Sequence, residues 1–481
     1  MYEKSLTFVG LKVLFAALFV VSARVVLGRR GSPILWAFVM VTLLFVYVLT
    51  TQEYSTDIGA DVLLLSHLLL LVYLITVMLL ARAYAGRVDQ LVRLVHDFPN
   101  KVIAGVIVGW LAVRAYLIVV YGPAAFMFSR AEVLQTAGFV VFSSWEVALS
   151  SITTLLLLGA FSVAVIRHAG GGHGQSTVFW LGILAMLVLI LVTNESTIGS
   201  RRLLLVLGAV WFSVAWIRSG LPVWVVALRH GARLAVGAVL VAALAVYSQN
   251  VRNNDLSEIL AADAPGELVA ATAKFAATFP PEREREDVRH LRSGPLDFFA
   301  KVVAVRVMDG RSADGDAIGF SLAMAVPKAF YPGEKPIGDV DDVLFERLHI
   351  YPSMPFLNID YPTSLPAIGF ADFGSLGVFL LGIVLGLGFV AVGFLIKSVG
   401  GNPMALLVAL GLSVQLIGSQ EAALSSIVSA VRDSVVALLL TLPTGWFWRR
   451  ISGQIRSKKR CKMKIAWTAG DERQAIKGGR S

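Results

Sequence analysis

An all-α polytopic membrane protein is the fold class this sequence predicts, on three observations. Apolar residues make up 57% of the chain and charged residues only 15%, whereas soluble domains hold about 45–50% and about 25%. The apolar residues gather into runs of membrane-spanning length, and the basic residues gather into the short links between alternate runs. The single cysteine, Cys461, lies in a basic tail, so neither a disulfide framework nor a thiolate metal site is available to hold a soluble fold instead. The formal net charge of +10 comes from those links and that tail, which marks membrane topology and not a nucleic-acid surface.

About 20 apolar residues, at 1.5 Å each, cross a hydrocarbon core of about 30 Å. Runs of that kind lie at 7–28, 33–51, 61–82, 101–121, 145–166, 177–193, 202–217, 230–248, 373–396, 404–419 and 431–448. The expectation is therefore about 11 transmembrane helices, with one large extracytoplasmic loop domain between helices 8 and 9. The first run lacks a small-residue cleavage site and reads as a retained helix, not a signal peptide.

Orientation follows from the basic links. Arg29, Arg30, Arg82, Arg87, Arg93, Lys101, Arg167, Arg218, Arg229, Arg233 and Lys397 fall on one side, as does the tail from Arg449. That side is cytoplasmic by the positive-inside rule, which puts the N-terminus outside and the C-terminus inside. Four regions result: a transmembrane bundle over 1–248, the loop domain over 249–372, transmembrane helices over 373–448 and a basic cytoplasmic tail over 449–481. Acidic residues outnumber basic ones in 249–372, the makeup of a soluble module. Amphipathic helices are expected around Leu256–Phe279 and Leu296–Met308, with the charged run Pro280–Asp287 between them as a solvated helix start or loop. The prolines after Val326 predict extended chain with turns.

Charges at membrane depth are costly, so each needs an account. Lys12 and Arg24 lie near the ends of their run and can snorkel to the headgroups. Arg114 lies well inside its run, where it serves either a structural pair or a cavity. Arg201 and Arg202 break the positive-inside pattern. Their guanidinium forks, with the backbone N–H groups of Gly199 and Ser200 at a helix start, suit a phosphate anion; the alternative is a salt bridge with Glu195 or headgroup binding. The outward carboxylates Glu146, Glu195, Asp372 and Glu421 are candidate general bases, although Ser143-Ser-Trp-Glu146 also fits a capping box. His290 and His349 are further candidates, each as readily a polar surface residue. Glu146–Ile152 and Glu421–Ile427 share a short similarity that reads as coincidence. No metal-ligand spacing, Walker loop, nucleophile elbow or dinucleotide fingerprint is visible, so no cofactor is called for.

One stretch is more specific than composition. From Ala325 the chain reads AVPKAFYPGEKP, and some thirty residues later YPTSLPAIGFADFGSLG. These segments resemble the bacterial oligosaccharide repeat-unit polymerases, the O-antigen polymerase-like family. The elements carrying the resemblance are Pro327-Lys328, Lys335-Pro336, Pro362-Thr363 and Phe373-Gly374-Ser-Leu-Gly377. An arginine at the outer end of a middle helix is also typical of the family, and Arg201 or Arg202 occupies that place. The resemblance implies a metal-independent membrane glycosyltransferase in the cytoplasmic membrane. Its substrates would be polyprenyl-diphosphate-linked oligosaccharides and its partners the lipid bilayer and a chain-length regulator. Arg201, Arg202, Glu195 and Asp372 would carry the chemistry, and Arg114, Lys328, Tyr331, Lys335 and Glu421 would bind substrate. A transporter or flippase of lipid-linked sugars and an O-antigen-ligase-like transferase are the alternatives.

Overall fold

The computed structural model describes residues 2–28, 31–44, 58–82, 88–121, 144–170, 200–237, 239, 266–267, 270, 295–326, 330–333, 340–349, 364–398, 402–418 and 424–441. Among them every regular element is helical. In chain order these are α1 (Tyr2–Leu27), α2 (Pro33–Thr42), α3 (Ala60–Arg82), α4 (Val88–His96), α5 (Asn100–Tyr121), α6 (Ser144–Ala169), α7 (Ser200–Ser219) and α8 (Val223–Arg229). They continue with α9 (Pro295–Met308), α10 (Asp316–Ala325), α11 (Val340–Leu348), α12 (Leu365–Phe373), α13 (Ser375–Ser398) and α14 (Pro403–Gly418), and end with α15 (Leu424–Thr441). Five of these, within α3, α5, α6, α13 and α15, are long and apolar enough to cross a membrane, or up to six if α7 and α8, bent by 114° at their junction, form one broken span. The described residues are thus all helical in their regular structure, and their long apolar helices mark a membrane-embedded protein.

The helices begin where local chemistry allows. At α14, Pro403 needs no N–H partner and the Met404 N–H donates to Asn402 Oδ1 at 3.1 Å, a side-chain cap followed by proline. Inside the bundle, the hydroxyls of Thr42, Ser66, Ser162, Ser413 and Ser434 donate to the carbonyl four residues earlier, at 2.7–2.9 Å. Polar atoms in an apolar bundle are satisfied this way without water.

Glycines decide how closely the long helices approach. A Cβ on Gly159 of α6 would lie 2.0 Å from Leu407 O, and one on Gly411 of α14 would lie 2.1 Å from Leu155 O. On α13, Gly382 and Gly386 do the same against Tyr73, Val77 and Leu80 of α3. Small residues four apart permit such backbone contact, and dispersion then holds the pair. Around these seams α2 packs on α7, α5 on α6, and α1 on α3.

Several expectations are revised. The last run is helical over 424–441 and not from 431, so Arg432 and Asp433 lie mid-helix instead of at its mouth. The chain after Val326 is not extended throughout: α11 and α12 occupy it, with Pro366 in the first turn of α12, where proline is tolerated. The run expected at 373–396 is helical over 375–398, and Gly374, whose φ of 62° and ψ of −144° are open essentially only to glycine, separates it from α12. There the chain doubles back, and Gly369 packs on Gly377 with no room for a Cβ on either. Leu296, Phe298 and Val302 of α9, Ala317 of α10, Leu344 of α11 and Ile368 of α12 belong to one hydrophobic cluster with the bundle helices, and α9 packs directly on α3. The run at 177–193, most of 230–248 and all of 256–287 but 266–267 and 270 fall outside the described residues.

Candidate functional site

Both segments that carry the family resemblance meet at α10. Its last residue, Ala325, opens the first segment; α12, which carries Asp372 one residue before its end, belongs to the second. Asp372 is 2% exposed, and its carboxylate accepts the backbone N–H groups of Ile318 at 2.7 Å and Ala317 at 3.3 Å. These amides belong to the first turn of α10, which has no intrahelical partner for them. Burial pushes the Asp372 carboxyl above its ordinary range, while the amides of Ile318, Ala317 and Gly315 draw it back down. A negative group here also complements the helix dipole.

At the opposite end of α10, Arg432 Nη1 donates to Ala325 O at 2.6 Å. The same guanidinium grips Asp433 through Nε and Nη2, both at 2.8 Å. The charge on Arg432 is thereby balanced beside it, which a residue near the middle of an apolar span requires. The short helix is held by a carboxylate at its N-terminus and a guanidinium at its C-terminus, each of the sign its dipole favours.

The approach to α10 is fixed with equal care. Arg306, at the end of α9, donates to Ser312 Oγ at 2.7 Å and to Ala371 O, and its guanidinium lies 6.0 Å from the Phe370 ring centroid. The Ala313 N–H donates to Ala371 O at 3.0 Å. Asp314 and Gly315, with φ of 51° and 98°, make the turn into α10. Arg347 of α11 pairs with Asp316, and Arg311 Nη1 donates to Leu348 O at 3.3 Å, where His349, at φ 48°, closes α11.

The sequence-predicted residues are dispersed. Arg114 is 6% exposed; its Nη2 donates to Thr154 Oγ1 at 2.9 Å and its guanidinium lies 5.3 Å from the Trp110 ring centroid. Glu146 is buried and accepts the Tyr116 hydroxyl at 3.2 Å. Arg114 and Glu146 are thus both tied into the α5–α6 seam. Asp372 is buried under α10. Arg201 and Arg202 stand in the first turn of α7; their side chains, and Glu195, Lys328, Lys335 and Glu421, lie outside the described residues. Tyr331 is half-buried and follows Phe330, which is 79% exposed.

Sequence reasoning missed Arg306 and the Arg432–Asp433 pair. The signal for the pair was present: a span begun at Leu424 instead of residue 431 makes both residues intramembrane. Arg167 is a further case. Read as a loop cation, it is buried and donates to Val95 O, Phe98 O and Asn100 Oδ1, tying the turn between α4 and α5 to α6. No protein-family model matches the chain, nor does any curated protein or solved structure.

Proposed function

We propose that the protein is a polysaccharide repeat-unit polymerase. In this reading it moves a growing glycan from one polyprenyl diphosphate to the non-reducing-end hydroxyl of the next lipid-linked repeat, at the outer face of the cytoplasmic membrane. The glycosidic bond to the diphosphate breaks, a new bond forms to the acceptor oxygen, the acceptor proton passes to a base, and polyprenyl diphosphate leaves. Cations at the membrane boundary would stabilise the charge that develops on the leaving diphosphate, with Arg201, Arg202, Lys328 and Lys335 as the groups for it. Eleven spans, the N-terminus outside and the C-terminus inside belong to the same reading. The observation that carries it is the resemblance of the two segments, supported by their meeting at α10, where Asp372 of one holds the helix that leads into the other.

Deleting the gene and resolving surface glycan on a gel tests the reading. A ladder collapsed to single repeats is expected. Loss of all exported repeats would favour the flippase alternative, and full ladders retained on the lipid carrier would favour the ligase-like one; an unchanged ladder removes all three. In the restored strain, Lys328→Ala with Lys335→Ala, and Arg201→Lys or Arg202→Lys, are expected to shorten the ladder at normal protein abundance. Orientation has its own check: a cysteine at Asp309, which is exposed, should react with an impermeant maleimide in intact cells while Cys461 does not.

A further inference from the structure

The position of α10 has a meaning for the membrane that depends on helix packing alone and not on the chemistry proposed above. Asn402, at the start of α14 and four residues past the end of α13, donates its Nδ2–H to Thr441 O at the end of α15 at 3.4 Å, so α13 and α15 end together and the start of α13 and the start of α15 lie at the same face of the bundle. Asp372, beside the start of α13, holds the first turn of α10. Arg432, which holds its last residue, is eight residues beyond Leu424, a rise of about 12 Å into α15. The ten residues of α10 themselves rise about 15 Å. The two lengths agree: α10 starts at the face and its C-terminus lies well inside it.

Composition fits that depth. After Asp316 the helix reads AIGFSLAMA, without a charge, and its one hydroxyl, Ser321 Oγ, donates to Ala317 O at 2.8 Å. Ala317, Ser321 and Ala325 face the protein, while Gly319 and Leu322 are exposed, Leu322 by 46%. A backbone end in hydrocarbon must be satisfied by protein, and Arg432 does this at Ala325 with its own charge balanced by Asp433.

We infer that α10 is a re-entrant helix: it enters the hydrocarbon layer from the face where α13 and α15 begin, ends part-way through at Arg432, and presents Gly319 and Leu322 to lipid acyl chains. Arg432 acts as a positioning residue that sets the depth of the helix.

Spin labels test this in the full chain, with Cys461→Ser, in phospholipid liposomes. Leu322→Cys is compared with Asp309→Cys as the aqueous reference and Phe379→Cys, exposed on α13, as the lipid reference. The ratio of collisions with oxygen to collisions with a nickel chelate should be several-fold higher at 322 than at 309, and close to that at 379. A ratio at 322 equal to that at 309 overturns the re-entrant helix. Arg432→Met should then move the 322 label towards chelate access, and Arg432→Lys, which keeps a cationic donor, should restore most of the depth. If Arg432→Met leaves the ratio at 322 unchanged, the positioning role is overturned. These readings are independent of glycan length, so their failure and that of the polymerase reading are separately visible.

Discussion

The seam between α6 and α14 and the clasp around α10 hold helices in the same protein by opposite means. At the seam, Gly159 and Gly411 bring two backbones into direct contact, and α14 is almost wholly buried among apolar side chains. No charge takes part, because a long helix satisfies its own backbone and needs only close packing. Around α10, a helix of ten residues, a large share of the backbone groups belong to the unsatisfied first and last turns. Charged side chains from α12 and α15 supply the missing partners. Helix length therefore decides which helices need charged partners at their ends: short α10 has them at both, and the seam of long helices has none.

The largest effect expected from this contrast is at the glycine seam. Gly411→Ala places a methyl group against the Leu155 carbonyl, where neither backbone can yield cheaply. Overpacking of this kind costs about 1–3 kcal/mol, occasionally more. A clear fall in the melting temperature of the detergent-purified protein is the expected result. Gly208→Ala, where a Cβ meets nothing within 4 Å, should melt with the parent or slightly above it. Equal melting of the two variants would remove close backbone approach as the basis of the seam.

Next in size is the N-terminal clasp. Asp372→Ala leaves the amides of Ala317 and Ile318 buried without their acceptor, at a cost of about 1–3 kcal/mol. Asp372→Asn keeps one carbonyl oxygen and should cost less. Hydrogen exchange of the peptide containing residues 317 and 318 should quicken in the alanine variant and less in the asparagine variant. Unchanged exchange in both would break the assignment of Asp372 as the partner of α10. The interior pair gives a third comparison. Arg114 and Thr154, on two long helices, should couple by about 1–2 kcal/mol in a double-mutant cycle of Arg114→Met and Thr154→Val. No coupling there would place the weight of Arg114 on its contact with Trp110.

The sequence made the long helices legible and the short ones not, for a physical reason. A run such as 61–82 or 101–121 carries its own evidence, because any segment of that length and polarity must be helical in lipid; the helices at Ala60–Arg82 and Asn100–Tyr121 lie within a residue of it at each end. Helix α12 was read as extended chain because Pro366 and the prolines before it looked like breakers, although a proline in the first turn costs nothing. The last span is helical from 424 instead of 431, which puts Arg432 and Asp433 in its interior. Each is tolerated there only because the other, and the end of α10, is present, and such a partner 107 residues away leaves no local trace. Asp372 was legible as a candidate by its charge, but the amides that it holds were not.

The smallest effect is expected at Arg347 and Asp316, and it sharpens the contrast within the clasp itself. This pair also joins α11 to the start of α10, yet its side chains are 59% and 47% exposed. Water and salt screen it, and ordering two side chains offsets much of the attraction, so Arg347→Ala should cost under about 0.5 kcal/mol. Asp316→Ala removes the same pair and also a carboxylate in the first turn of α10, a favourable place for negative charge worth about 0.3–1 kcal/mol more. The two variants should therefore differ in melting temperature, with Asp316→Ala the lower, and the difference should shrink in high salt. Equal melting at low salt would mean that Asp372 already satisfies the N-terminus of α10 and leaves no field for a second carboxylate.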